Sequence, residues 1–134
     1  MPSVEITPLP IFNSGNAEPG AKRLMLGQGE FTLLHPACPE IRFLGFLTFQ
    51  PGIRRGGHYH PAKLEFLYLL RGKLRLITRD HNSGERLEHT VHAGDLVRIE
   101  PGIEHVYEGA VYAEAVEFSA TPWSAEDTVK VDLA

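Results

Sequence analysis

The sequence predicts an all-β fold, a β-sandwich or a small barrel, from three observations. Short runs rich in Phe, Leu, Ile, Val and Tyr recur from Phe31 onward, and each run ends at Pro, Gly, Asn or Asp. One run, KLRLITR at residues 73–79, begins with an explicit alternation, with Lys73 and Arg75 on one face and Leu74 and Leu76 on the other. No stretch has helical periodicity over three turns, and only SAED at residues 124–127 resembles a helix start. Many short strands with regular turns are typical of sandwiches and small barrels.

Seven runs are predicted as strands. They are FTLLH (31–35), IRFLGFLTF (41–49), LEFLYLL (64–70), KLRLITR (73–79), RLEHTV (86–91), DLVRI (95–99) and AVYAEAVEF (110–118). DHNSGE at residues 80–85 has the Asn-Ser-Gly chemistry of a tight reversal, so the fourth and fifth runs are predicted to form a hairpin. Residues 1–30 are rich in proline and glycine and have no sustained period. They are predicted to form an irregular N-terminal arm beside one barrel at residues 31–134.

Length and composition bound the class of protein. The chain has 134 residues, the size of one ordinary domain, and its 43% hydrophobic and 22% charged residues are close to globular averages. A net charge of -4 provides no positive field to attract nucleic acid or anionic lipid, so neither partner is expected. Cys38 is the only cysteine, which excludes an internal disulfide. Without a membrane-length apolar run or a signal-peptide pattern, a cytoplasmic location is expected.

A histidine pair and two later residues form a candidate metal site. His58 and His60 stand at i and i+2, so in a strand both imidazoles project to one face. A bend at the following proline would bring the Glu65 carboxylate back toward the pair, and His105 follows a later Pro-Gly turn. Three neutral imidazoles and one carboxylate suit one divalent transition metal per chain, either iron, manganese, nickel, cobalt or zinc.

The alternative is a chance arrangement of polar residues, because seven histidines in 134 residues produce an HxH pair fairly often. The other four histidines lack matching glycines or a carboxylate and are interpreted as surface residues. They are His35, His81, His89 and His92.

The spacing of these residues resembles the two sequence motifs of the cupin superfamily. In the first motif, Gly52, His58, His60, Glu65 and Gly72 are separated by five, one, four and six residues. GDLVRIEPGIEH at residues 94–105 is similar to the second motif. It departs from the family pattern at Glu100, where proline is frequent, and Gly109 replaces the usual asparagine. The resemblance covers residues 52–109.

The resemblance implies a jelly-roll β-barrel with a metal held inside by His58, His60, Glu65 and His105. It also implies a homodimer, since many cupins dimerise. RGGH at residues 55–58 resembles the RGxH element of cupin-type sugar-nucleotide epimerases and ketoisomerases. The best-known members of that class work without a metal, whereas this sequence keeps all four ligands.

The predicted function is metal-dependent isomerase or epimerase chemistry on a small polar, sugar-like hydroxy-carbonyl substrate. Four protein ligands leave two positions open on an octahedral metal, enough to chelate both substrate oxygens, whereas the same four would close a structural zinc site. An Fe(II)-dependent dioxygenase is the first alternative. A non-enzymatic cupin that binds a small ligand is the second.

Side chains near the metal would move the proton and hold the substrate. The candidate acid/base residues are Tyr59, Tyr68, Tyr107 and Glu117. The candidate anchors for a substrate phosphate or carboxylate are Arg54, Arg55 and Arg98. Ordinary strand packing is the alternative role for the first group, and a charged strand edge is the alternative for the arginines.

Overall fold

A computed structural model describes residues 2–14 and 19–133 and confirms the all-β fold. The strands are β1 (Val4–Pro8), β2 (Ile11–Phe12), β3 (Lys22–Leu26), β4 (Gly29–Leu33), β5 (Phe43–Phe49), β6 (Arg54–Tyr59), β7 (Glu65–Arg71), β8 (Lys73–Asp80), β9 (Arg86–His92), β10 (Asp95–Ile99), β11 (Ile103–Gly109), β12 (Ala113–Ser119) and β13 (Val129–Lys130). Each of the seven predicted runs overlaps one of these strands. A single 3-10 turn, His35–Ala37, is the only helical element in the described ranges.

The strands form two five-stranded sheets and one small sheet. The first sheet has the order β1-β10-β7-β12-β5, the second β13-β6-β11-β8-β9, and the small sheet β2-β3-β4. The two large sheets face each other as a jelly-roll-like sandwich. The predicted barrel is not closed, because no ladder between described strands joins an edge of the first sheet to the second.

The predicted hairpin is confirmed, with β8 and β9 paired antiparallel from Lys73 opposite His92 to Arg79 opposite Arg86. The Asp80 carboxylate stabilises the reversal, because its Oδ1 accepts the backbone N–H groups of residues 82 (2.8 Å) and 83 (3.1 Å).

The N-terminal arm is more regular than the sequence predicts. β1 pairs antiparallel with β10 along its whole length, and β3 pairs with β4. Proline suggested irregular structure, but Pro8 ends an edge strand, where a missing N–H removes no ladder bond. The arm packs Leu9 and Ala21 against Phe66 and Phe118 on the outer face of the first sheet. Residues 1 and 15–18 lie outside the described ranges.

The SAED segment forms a turn, not a helix. The N–H of Asp127 donates to the Ser124 carbonyl at 3.2 Å and that of Thr128 to the Ala125 carbonyl at 3.2 Å, after which the chain enters β13. Among the described residues, no helix has the length and apolar character required to cross a membrane.

Candidate metal centre and active site

Three histidines from neighbouring strands converge between the two sheets. His105 on β11 stands opposite His58 on β6, and His60 follows two residues after His58 on the same side. The ring centroids of His58 lie 4.8 Å from those of both other histidines. One potential ligand nitrogen from each ring lies within 4.8 Å of the other two.

Glu65 reaches the cluster from the facing sheet, at the start of β7. Its Oε2 lies 3.0 Å from His105 Nε2, and its Oε1 lies 3.4 Å from His60 Nε2. The structure therefore brings together all four residues that the sequence motifs suggested as ligands.

Glycine lets the two histidine-bearing strands approach each other. The β6–β11 ladder shifts register between His105 and Val106, as in a β-bulge, beside Gly56. Gly56 has a φ of +105°, and a Cβ there would lie 2.8 Å from the His105 carbonyl oxygen. A larger residue at position 56 would displace the His105 backbone.

Backbone carbonyls fix the tautomers of two histidines. His60 Nδ1 donates to the Asp127 carbonyl at 2.8 Å, and His105 Nδ1 donates to the Ile103 carbonyl at 3.0 Å. Since a carbonyl can only accept, both Nδ1 atoms carry the proton and both Nε2 atoms face the Glu65 carboxylate.

This arrangement fits a metal ion. His60 Nε2 and Glu65 Oε2 are buried and have no hydrogen-bond partner among the described residues. Two imidazole lone pairs directed at a carboxylate repel it unless a cation, a proton or a metal ion lies between them. Three imidazoles and one carboxylate are the donor set expected for a transition metal.

Burial and neighbouring charges shift the pKa values of the clustered residues. Burial would raise the pKa of Glu65, but His105, His60 and Lys63 hold it well below its usual value, so the carboxylate is ionised. Burial lowers the pKa of His105, and Glu65 more than offsets this, so that pKa is raised. Burial and the two neighbouring histidines lower the pKa of His58 to about 4, which leaves it neutral at pH 7.

A buried lysine that no sequence motif indicates also contacts the cluster. The side chain of Lys63 is 3% exposed, and its Nζ lies 3.6 Å from Glu65 Oε1 and 4.1 Å from the centroid of the Phe43 ring. Lys63 therefore places a fixed positive charge beside one candidate ligand. Its position two residues before Glu65 is the only signal in the sequence, and it carries no recognisable pattern.

A cavity of about 160 Å³ opens beside the histidines. Its lining residues are Leu47, Phe49, Arg55, Gly56, His58, His105, Tyr107 and Glu117. Burial and the Glu65 charge raise the pKa of Glu117 to about 7. Burial, with the charges of both glutamates, raises the pKa of Tyr107 well above its usual value, so its hydroxyl keeps its proton. That hydroxyl has no hydrogen-bond partner among the described residues.

Arg55 is the candidate anchor that lines the cavity. Its Nε donates to the Thr48 carbonyl at 3.0 Å, and its guanidinium carbon lies 5.7 Å from the centroid of the Phe49 ring. This bond uses one of the five N–H donors of a guanidinium group and holds the side chain in place.

The structure places the other two arginines elsewhere. Arg54 Nε donates to Glu108 Oε2 at 3.0 Å. Arg98 Nη1 lies 3.6 Å from Glu100 Oε1 and 3.9 Å from Glu5 Oε1. Both are surface ion pairs, and neither residue lines the cavity.

Tyr59 and Tyr68 also lie away from the cavity. The ring of Tyr59 stacks on His81 with centroids 4.2 Å apart, and the Tyr68 hydroxyl donates to Glu30 in the N-terminal arm. Each tyrosine alternates with inward-facing residues on its strand and so points to the outer face. Of the four acid/base candidates, the structure leaves Tyr107 and Glu117 beside the cluster.

The family of the chain follows from its sequence as well as this geometry. A family model described as Cupin domain matches residues 45–119, which is more than half of the chain. The chain is a cupin. The resemblance of its two motifs to that family is thereby confirmed. No curated protein sequence matches it.

Solved structures of sugar-nucleotide enzymes share the fold of this cupin. The 3,4-ketoisomerase QdtA from Thermoanaerobacterium thermosaccharolyticum, in complex with TDP-4-keto-6-deoxyglucose, superposes with a TM-score of 0.76 and 14% identity, over 95% of this chain and 86% of that one. The dTDP-4-dehydrorhamnose 3,5-epimerase from Sulfolobus tokodaii superposes with a TM-score of 0.67 and 15% identity, over 80% of this chain and 71% of that one.

The capsular polysaccharide assembling protein CapF from Staphylococcus aureus gives a TM-score of 0.62 and 23% identity, over 67% of this chain and 26% of CapF. This cupin therefore spans about a quarter of the length of CapF. At these identities the three comparisons support a common fold.

Proposed function

We propose that this cupin is a metal-dependent isomerase or epimerase that acts on a small polar hydroxy-carbonyl substrate. One observation carries the proposal: one small cavity is lined by two of the clustered histidines, by Glu117, whose carboxyl pKa lies near 7, and by the Tyr107 hydroxyl, which has no hydrogen-bond partner within the described ranges. An acid/base group with a pKa near the working pH is best suited to move a proton.

The residues that would hold the metal are His58, His60, Glu65 and His105. A bound divalent metal would polarise the substrate carbonyl and so acidify the neighbouring C–H bond. The tautomers of His60 and His105 support this role, because each Nε2 is already presented to the site.

The side chains of this chain supply the remaining steps. Ionised Glu117 removes the proton from the carbon that bears the hydroxyl, beside the carbonyl. In an isomerisation it returns this proton to the former carbonyl carbon, and the hydroxyl proton passes to the former carbonyl oxygen. In an epimerisation a proton must reach the opposite face of the same carbon, and Tyr107 is the candidate donor there. The Tyr107 hydroxyl, which keeps its proton, donates a hydrogen bond to a substrate oxygen. Arg55 holds an anionic or polyhydroxy part of the substrate near the cavity.

The cavity size supports a small substrate or the reactive end of a larger one. A volume of about 160 Å³ is below the ~300 Å³ at which typical pockets for drug-sized ligands begin. QdtA was solved with a 4-keto sugar nucleotide, and sugars with a carbonyl beside a hydroxyl are the substrate class that we propose here.

Deuterium exchange tests the proposal. The zinc-, manganese- or iron-loaded protein is incubated anaerobically in D2O with dihydroxyacetone phosphate and, separately, with TDP-4-keto-6-deoxyglucose, and NMR detects deuterium beside the carbonyl. We expect exchange that falls about 10²- to 10⁴-fold in Glu117→Gln, while its metal content stays that of the wild type. Glu114→Gln, on the outer side of the same strand, is the control and keeps full activity.

Two results would redirect the assignment. Turnover that consumes oxygen and stops without it would favour the Fe(II)-dependent dioxygenase. Saturable binding of a carbonyl compound without exchange or turnover would favour a non-enzymatic binding cupin. The homodimer and the cytoplasmic location remain predictions from the sequence.

A further inference from the structure

We propose that Asp127 is a positioning residue for the metal centre, acting on His60 from a C-terminal segment that the family model does not cover. The inference rests on the proposed metal site. It names a residue outside both sequence motifs that determines how well one ligand is presented.

Asp127 bonds to the ligand-bearing chain at three points. Its carbonyl oxygen accepts the Nδ1–H of His60 at 2.8 Å. Its carboxylate accepts two backbone N–H groups just beyond that histidine, from Ala62 to Oδ1 at 2.8 Å and from Lys63 to Oδ2 at 3.0 Å. The carboxylate therefore fixes the Asp127 backbone against residues 62 and 63, and this places the carbonyl at the His60 ring.

The segment that carries Asp127 is anchored on the far side as well. β13 pairs antiparallel with β6, with Lys130 opposite His58, and the N–H of Val131 donates to the Gly57 carbonyl at 2.9 Å. Leu133, which is buried, packs against Ile77 and Val106. Residues 127–133 thus lie beside β6, which bears His58, and beside the residues that follow it, which include His60.

The chemical consequence concerns the His60 ring. Its Nε2 presents a lone pair toward Glu65 only while Nδ1 carries the proton and the ring keeps its present orientation. Without the two carboxylate bonds, the Asp127 carbonyl would no longer be held at Nδ1, and both the tautomer and the orientation would become variable. Loss of such an outer contact to a ligand typically weakens metal binding 10- to 100-fold.

The test uses the full chain with Zn²⁺ as the probe and compares Asp127→Ala and Asp127→Asn with Glu126→Gln. Glu126 is the matched control, because its carboxylate bonds to Ser124 Oγ at 2.8 Å within the same segment. Competition with a chromophoric chelator measures zinc affinity, and ¹⁵N NMR of the metal-free protein reports the His60 tautomer.

We expect zinc affinity to fall about 10- to 100-fold in Asp127→Ala, and less in Asp127→Asn, which keeps one acceptor. The His60 signal should change from protonated Nδ1 to a mixture of tautomers, whereas Glu126→Gln should match the wild type in both measurements. A purely structural role would lower the melting temperature and leave the tautomer unchanged.

An unchanged tautomer and an unchanged zinc affinity in Asp127→Ala would overturn the inference. Failure of the wild type to bind zinc would instead count against the proposed function, and the tautomer measurement would still decide the role of Asp127. If Asp127→Ala does not fold, the same two outcomes are read from Asp127→Asn.

Discussion

Along the inner face of β7, the Glu65 side chain lies at one end, and those of Leu67 and Leu69 follow toward the other, all three nearly inaccessible to solvent. On β12, Glu117 and Ala115 repeat this change from polar to apolar. The interior of the sandwich therefore has a polar end, where the candidate ligands and the cavity lie, and an apolar end packed with aliphatic side chains.

The two ends contribute differently to the free energy of folding. Each fully buried leucine at the apolar end stabilises the fold by about 1.5–3 kcal/mol. At the polar end, Tyr107 Oη and His60 Nε2 are buried and have no hydrogen-bond partner in the described part of the chain. Such atoms cost free energy until a ligand satisfies them. The apolar end thus offsets the cost of a binding site at the other, as expected where function and stability compete.

Removal of a histidine at the polar end should have the largest effect. We expect His105→Ala to lose zinc binding by more than the 10- to 100-fold typical of an outer contact, because a ligand atom is deleted. The fold should persist, since β11 is paired on both sides by β6 and β8. Elemental analysis after dialysis measures the bound metal, and His81→Ala, on the outer face, is the control. Retention of a full equivalent by His105→Ala would contradict the assignment.

The corresponding change at the apolar end should affect stability and leave metal binding intact. Leu69→Ala should lower the free energy of unfolding by about 2–5 kcal/mol, because it leaves a cavity in the packed core. Urea unfolding measures this loss. The control is Leu70→Ala, on the next residue of the same strand. Leu70 is 38% exposed, so this substitution should lower the free energy of unfolding far less. Equal losses in the two variants would mean that the interior is not divided as described.

Glu117 should make the polar end less stable as pH rises. Its pKa is about 7 in the folded state against an ordinary value of 4.5, so the folded protein keeps a proton that the unfolded chain has lost. The contribution of Glu117 to the free energy of unfolding is fully present below pH 4.5 and is lost as the pH rises through about 7. The metal-free Glu117→Gln variant lacks this titration, so its stability relative to the wild type should increase across that window.

Thermal unfolding at a series of pH values measures the difference between the two proteins. Glu114→Gln, on the outer side of β12, is the control for replacing a carboxylate by an amide on this strand. A constant difference for Glu117→Gln would show that burial does not raise the Glu117 pKa.

The smallest effect is expected from Lys63. Replacement by Met keeps the length of the side chain and removes a charge that repels a cation bound by Glu65. Zinc affinity should rise by about tenfold, which corresponds to about 1.4 kcal/mol of binding free energy. This is well below the ~4 kcal/mol of repulsion between two unit charges 4 Å apart at an effective dielectric constant of about 20. Isothermal titration calorimetry measures the change, with the exposed Lys130→Met as the control for net charge. Weaker binding in Lys63→Met would mean that Lys63 chiefly orients Glu65.

The sequence allowed six of the ten strands in the two large sheets to be predicted, together with the clustered residues, because alternation and turn chemistry are local. The four strands outside the predicted runs are β1, β6, β11 and β13. The same alternation excludes Tyr59 as an acid/base residue of the cavity, since a residue between the inward-facing His58 and His60 must point outward. Lys63 and Asp127 could not be found in this way. Their roles depend on contacts with Glu65 and His60 that only the folded chain creates, and in the case of Asp127 across more than sixty residues.

The origin of the two proton-bearing groups has a stereochemical consequence. Glu117 belongs to the first sheet and Tyr107 to the second, and both line the same cavity. A planar substrate carbon bound between these two side chains would have a different group on each of its faces. A proton removed and returned by Glu117 alone would preserve configuration, whereas one removed by Glu117 and returned by Tyr107 would invert it. For the proposed enzyme, ketoisomerase or epimerase chemistry would then depend on whether one or both of these side chains exchange protons with the substrate.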